Sequence, residues 1–314
     1  MRHAHSFKKL SPEDLHTLLV DNKEHALLII DTLPNDHFSK VHLPGSKNAC
    51  VFEMTFLDQV KALAVEISRP IIVYGASNNS LDSRTAAEKL SMAGYSDVSV
   101  LDGGIERWRQ SNYPLEGTNT EHGSNEDPER LLTDGKYAIL PEECRIGWTG
   151  RNANSSHFGT VNVSGGNIVL RESSIQGSLT IDMDSIENIN LAGNELQQLL
   201  ISHLKSDDFF FVDAFPAARL DIRGGRFTHQ AFPTQPNCEI TSTLDMRGLQ
   251  NDLTFQATVV KGMDNHLHLS AHFDMDRTLW GISYGSSRFF EHLGMHAVFD
   301  DISIELLVVA KQNG

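Results

Sequence analysis

The sequence predicts two domains of different class: an α/β domain over residues 1–117 and an all-β antiparallel domain over residues 134–314, joined by a linker at 118–133. Three observations carry this expectation. Up to Gly117, buried-type strands such as Ile71-Ile72-Val73-Tyr74 alternate with helix-forming stretches such as Arg84 through Leu90. From Gly117 to Pro128 no large apolar side chain occurs, so that stretch cannot bury enough surface to offset its ordering entropy. Beyond it the pattern changes to short strands with period-two alternation.

The α/β part rests on Leu27-Leu28-Ile29-Ile30-Asp31, on the run Ile71–Tyr74, and on the small-residue loop Gly75-Ala76-Ser77-Asn78-Asn79-Ser80 that ends it. A helix follows from Arg84 and closes at Gly94. A buried strand feeding such a loop at a helix N-terminus is an anion cradle, because unpaired N–H groups converge there and the helix dipole favours negative charge. A cysteine at the start of the loop would be held as a nucleophilic thiolate. The residue there is Gly75.

In the second part, Leu267, Leu269, Ala271, Phe273 and Met275 alternate with His266, His268, Ser270, His272 and Asp274. Leu253, Phe255, Ala257 and Val259 repeat the pattern, as do Leu179, Ile181 and Met183, and Ile302, Ile304 and Leu306. Further strands are expected at Tyr137–Thr149, Gly159–Ser164, Asn167–Leu170, Ala217–Gly224 and Glu239–Met246. One helix is expected near Asn194–Lys205, and a hairpin at Asp264-Asn265 after Gly262. Strands with one apolar face must pair as a sandwich or close as a barrel, and periodicity leaves that choice open.

Net charge is −15, from 26 basic and 41 acidic residues. To Gly117 there are 12 basic and 15 acidic residues, leaving 14 and 26 beyond, so the C-terminal part carries most of the negative charge. That balance argues against nucleic acid and anionic membranes as partners. Three widely spaced cysteines, Cys50, Cys144 and Cys238, make no disulfide framework. No apolar run approaches the roughly 18 residues of a membrane span, and the N-terminus lacks the apolar core of a signal peptide. These features read as a cytoplasmic chain without an integral membrane segment.

The first 117 residues resemble the rhodanese family of sulfurtransferases. The matching segments are Leu27–Asp31, then Val41-His42-Leu43-Pro44-Gly45-Ser46-Lys47-Asn48, the strand and loop at Ile71–Ser80, Ala93–Val98, and Leu101-Asp102-Gly103-Gly104-Ile105-Glu106-Arg107-Trp108. The resemblance implies a parallel sheet, with the persulfide-carrying cysteine at the position held here by Gly75. Ser80 stands where some relatives carry a second cysteine, and Asp31-Thr32-Leu33 replaces the usual Asp-Val-Arg. The loop Gly75, Ser80 and Arg84 is therefore expected to be degenerate and without sulfurtransferase activity. The loop is read as a vestigial turn kept for fold integrity, with anion binding through its N–H groups and the Arg84 guanidinium, or recruitment of a protein partner by the domain, as the functional alternatives. Cys50, with His42 as base, is the alternative nucleophile.

Residues 134–310 resemble the YceI family of lipocalin-like barrels. The match runs through Ser156–Val161, Ile175–Ile186, His203–Phe210, Phe215–Ala218, Met246-Arg247-Gly248, Phe273–Ile282 and Phe299–Ile302. The resemblance implies a closed barrel around a polyisoprenoid or another long-chain amphiphile. The expected ligand-binding residues are Ile181, Leu253, Phe255, Leu267, Leu269, Phe273 and Ile304, with no cofactor and no metal. His266, His268 and His272 share a face with zinc-compatible spacing but no complementary ligand signature, so they are expected to form a solvated outer face. The cluster Phe209-Phe210-Phe211 with Phe215 is read as a core plug beneath the helix, with a gate at the barrel mouth as the alternative.

Overall fold

The computed structural model describes residues 7–20, 27–120, 132–172, 174–228, 234–262 and 264–313, so most of the expected linker lies outside the described residues. The chain divides into two compact units, Met1–Ser124 and Asn125–Gly314.

Unit one alternates β1 (Lys8–Leu10), α1 (Pro12–Val20), β2 (Leu28–Asp31), α2 (Asn35–Lys40), β3 (Lys47–Asn48), α3 (Phe56–Leu63), β4 (Ile71–Tyr74), α4 (Asp82–Met92), β5 (Val98–Leu101) and α5 (Gly104–Gln110). The strands form one parallel sheet in the order β1-β5-β4-β2-β3. All eight residues of β2 and β4 are buried, because helices cover both faces. Side-chain alternation sorts them. Leu28, Ile30, Ile71 and Val73 pack with Phe56, Val60, Ala87 and Leu90 on one face, and Ile29, Ile72 and Tyr74 pack with Leu15, Leu43 and Trp108 on the other. Helix α4 begins two residues before the expected Arg84, at Asp82.

Unit two is an antiparallel barrel built from β6 (Gly135–Ile139), β7 (Arg145–Arg151), β8 (Ser156–Arg171), β9 (Ser174–Asn188), β10 (Ala217–Phe227), β11 (Cys238–Met246), β12 (Leu249–Lys261), β13 (Leu267–Asp276) and β14 (Asp301–Gln312), with α6 (Leu196–Lys205) between β9 and β10. Consecutive strands from β8 to β14 pair in sequence, and β13 with β14 carries the sheet around.

Two boundaries differ from the sequence expectation. Tyr137–Thr149 is not one strand, because Pro141 has no N–H to donate and a 3-10 turn at Pro141–Glu143 interrupts it. Both halves nevertheless lie between β8 and β14. β6 pairs with Leu170–Asn167 and Ala310–Gln312, and β7 with Val161–Ser156 and Leu307–Ser303. The nine strands therefore fill eight positions and close the barrel, which removes the open edges a sandwich would leave. Conversely, Gly159–Ser164 and Asn167–Leu170 are one strand, β8. It keeps pairing with β9 through register shifts at Thr160/Asn162 and Val163/Gly165, with Gly166 at φ +145°.

Candidate functional site

The barrel interior has two layers of different character. In the lower layer, inward side chains such as Tyr137, Ile168, Ile175, Ile240, Val259 and Val308 meet one another and are buried. In the upper layer they leave a cavity of about 140 Å³, within an envelope of about 1080 Å³ that includes its open mouth. Ile146, Trp148, Val161, Leu179, Met183 and Leu220 are among its walls. A single buried water needs only about 10–15 Å³ of such space, but also two to four polar partners, which these walls do not offer. The space suits hydrocarbon.

The seven expected ligand residues divide between these layers. Ile181, Leu253, Phe273 and Ile304 line the cavity, and all four keep accessible surface although they point inward. Leu267 and Leu269 belong to the packed lower layer, at 2% and 1% exposure. Phe255, 4% exposed, lies behind the wall and stacks on Phe273 with ring centroids 4.4 Å apart. Period-two alternation says which side chains point inward; it carries no information on height along the barrel axis. The last three are therefore corrected from cavity wall to core.

Phe209 and Phe210 border the cavity beside Leu204 of α6, while Phe211 turns outward at φ +47° and meets Phe215 edge-on. Two of the four rings, Phe209 and Phe210, are thus part of the cavity wall. Tyr284 packs against Phe209 at 5.3 Å and, edge-on, against His203 at 4.7 Å. His203 in turn contacts Asp208 at 3.1 Å. On the Tyr284 side is a polar cleft of about 430 Å³ lined by Asp207, Asp208, Ser283, Glu291, His292 and His296. None of these polar groups was singled out from sequence, since they come from segments without periodicity.

Among the described residues, Arg277 is the one charged residue of the cavity lining. It is 1% exposed and donates to the carbonyls of Phe299 (3.0 Å), Ile282 (2.7 Å) and Val298 (3.1 Å). One guanidinium thereby fixes the 298–300 segment that borders the cavity. Trp148 contributes a different feature: its indole Nε1 is buried with no hydrogen-bond partner.

In unit one the loop after β4 is already filled. A Cβ built on Gly75 would lie 1.9 Å from Asp82 Oδ1. The Asp82 side chain, 4% exposed, accepts from Ala76 N–H (3.1 Å), Ser80 Oγ (2.7 Å) and its neighbour Ser83 N–H (2.7 Å). The loop carbonyls are taken as well. Gly75 O accepts from Ile105 N–H and Ala76 O from Glu106 N–H, both at the start of α5, and Asn78 Oδ1 accepts from Gly103 N–H. Arg84 does not join the loop; it is half-exposed and pairs with Glu88 at 3.2 Å. The expected anion cradle of N–H groups plus Arg84 is corrected accordingly. The Ala76 and Ser83 N–H groups serve an internal carboxyl group, because Asp82 opens α4 two residues after the loop and no side chain at position 75 keeps it out.

Cys50 is 4% exposed, which shuts its thiol away from a dissolved sulfur donor. The His42 ring is engaged elsewhere, with Nδ1 at 2.7 Å from the Phe38 carbonyl.

Asp31, fully buried at the end of β2, accepts from Leu33 N–H at 2.8 Å, while its Oδ2 has no partner. Burial pushes its pKa from 3.8 up to about 6, against the lowering effect of Tyr74 and Leu33. Stability from the neutral form is complete below about pH 4 and is lost as pH rises through about 6, a change of up to about 3 kcal/mol. Asp31→Asn should abolish that loss. Hydrogen exchange at the Ile30 and Val73 amides is expected to be slower in the variant than in the natural chain at pH 8, and matched at pH 4; equal exchange at pH 8 would contradict the assignment.

The YceI-like domain family matches residues 137–310, and the rhodanese-like domain family matches residues 11–111. A thiosulfate sulfurtransferase, GlpE of Pseudomonas fluorescens strain SBW25, is 32% identical over 110 residues, 35% of this chain and 91% of the relative. Among solved structures, BcnA of Burkholderia cenocepacia aligns with 55% of this chain and 99% of its own, at 14% identity and a TM-score of 0.44. A polyisoprenoid binding domain from Saccharophagus degradans aligns with 56% of this chain and 98% of its own, at 10% identity and a TM-score of 0.40. Among the described residues no helix is long and apolar enough to cross a membrane. The chain belongs to the YceI-like family through its barrel and carries a rhodanese-like domain on the N-terminal side of it.

Proposed function

We propose that this protein binds a long-chain amphiphilic lipid, isoprenoid or fatty acyl, in the upper half of its barrel. The observation that carries the reading is the apolar cavity walled by Ile181, Leu253, Phe273 and Ile304. Burial of about 0.8 kcal/mol per methylene supplies the affinity. The head of the amphiphile lies toward the cleft of Asp207, Asp208, Tyr284 and Glu291, one aromatic ring away from the cavity. That lining favours a neutral or cationic head over a phosphate.

The rhodanese-like domain transfers no sulfur in this reading. Gly75 offers no thiol, Asp82 holds the loop donors, and Cys50 is buried. With Asp82 seated in the loop and Arg84 paired to Glu88 outside it, recruitment of a protein partner is the role assigned to this domain. Phe52 and Met54, 72% and 103% exposed, give it an apolar surface suited to that task.

Native mass spectrometry of the full chain, purified without detergent, tests the lipid reading. An excess mass of several hundred daltons that organic extraction removes is expected. A bare chain mass, together with no binding of a fluorescent acyl probe to extracted protein, would end it.

A further inference from the structure

At the packed end of the barrel, two segments distant in sequence bring metal-ligand side chains together. Glu143 comes from the turn between β6 and β7, and Asp264, His266 and His268 come from the hairpin between β12 and β13. One ligand atom from each of Glu143, Asp264 and His266 lies within 4.8 Å of the other two. His266 Nδ1 is 3.3 Å from Asp264 Oδ2 and 3.9 Å from Glu143 Oε2. His268 Nε2 is 3.1 Å from each Asp264 oxygen. Ligand atoms bound to one tetrahedral zinc at about 2.0–2.1 Å stand about 3.3 Å apart. The His266–Asp264 spacing of 3.3 Å already matches that figure, and the His266–Glu143 spacing of 3.9 Å lies a little above it.

Three further observations distinguish this cluster from a chance meeting of surface charges. His266 Nδ1 is shielded from solvent and has no hydrogen-bond partner, and carboxylates of Asp264 and Glu143 stand beside it. The His266 backbone N–H donates to Asp264 Oδ1 at 3.0 Å, which orients the carboxylate. A glycine makes the cluster possible: a Cβ on Gly262 would lie 2.5 Å from Asp264 Oδ1 and 2.6 Å from His268 Nε2. His272, exposed and farther along β13, is not part of it.

We infer that Glu143, Asp264 and His266 form a binding site for one divalent transition-metal ion of the zinc type, with His268 holding the Asp264 carboxylate from outside. One imidazole and two carboxylates, with the fourth position left to water, are a donor set that zinc accepts, whereas magnesium and calcium prefer all-oxygen shells. The ion bridges the β12–β13 hairpin and the β6–β7 turn, at the end of the barrel opposite the cavity. It is a strap for the packed layer, and it stands or falls independently of lipid binding.

The test is calorimetric titration of Zn²⁺ into the full chain, without an affinity tag and stripped with chelator. One equivalent of the bound ion is expected to disappear in His266→Gln and in Glu143→Gln, while His272→Gln binds as the natural chain does. Loss of an outer-shell partner already weakens metal sites about 10–100-fold, so each direct-ligand variant should lose at least about 100-fold. Ions held elsewhere, at His3 or His5 for example, persist in all variants and drop out of the difference. Zinc should also raise the melting temperature of the natural chain and leave that of His266→Gln unchanged. Equal stoichiometry, affinity and thermal shift in the natural chain and His266→Gln would overturn the site.

Discussion

Gly75→Cys alone yields a destabilised chain whose new thiol is not activated, whereas Gly75→Cys combined with Asp82→Ser yields a reactive one. The new Cβ falls 1.9 Å from Asp82 Oδ1, so the carboxyl group must leave its place. It gives up the Ala76 and Ser83 N–H groups and the Ser80 hydroxyl. Hydrogen bonds to a charged group are each worth about 1.5–3 kcal/mol, so the single variant should lose at least about 3 kcal/mol in denaturant unfolding. In the double variant the donors are free to face sulfur, and α4 begins beside it. The thiol should then titrate below the ordinary value of about 8.5, read from the pH profile of iodoacetamide alkylation. Thiosulfate-to-cyanide transfer should be absent in the natural chain. A single variant as stable as the natural chain, with a thiol as acidic as that of the double variant, would show that Asp82 does not block the loop.

Ile304→Trp is the second large effect. Ile304 sits on β14 between Phe273 of β13 and Trp148 of β7, and its surface faces the cavity. An indole there displaces space for about three methylenes, or about 2.4 kcal/mol, and should weaken an acyl probe about 60-fold. Leu269→Met serves as the control. It lies in the packed layer and conserves volume, so binding should not change. If both variants bind as the natural chain does, the ligand is not in the upper layer.

Much of this architecture can be read from particular residues. The uninterrupted apolar runs at β2 and β4 announce strands buried on both faces, and the alternation at Leu267–Met275 announces a strand with one wet face. Closure into a barrel is not in the alternation itself; it depends on β6 and β7 sharing one position around Pro141, a relation between segments distant in sequence. The same limit hid the division of the interior into layers, which moved Phe255, Leu267 and Leu269 out of the cavity wall. The sequence shows by itself that Gly75 stands where the resemblance places a cysteine. That Asp82 fills the place depends on the turn between them, and so does the pairing of Arg84 with Glu88 instead of the loop. His266 and His268 show in the sequence only as one polar strand face; the approach of Glu143 and Asp264 to them depends on a distant turn and on the hairpin tip.

The most direct measurement is a crystal structure of the natively purified chain. Elongated density running along Ile181, Leu253, Phe273 and Ile304, with its polar end toward Asp208 and Tyr284, is the result expected. Those four side chains in contact with one another across a closed interior would contradict it.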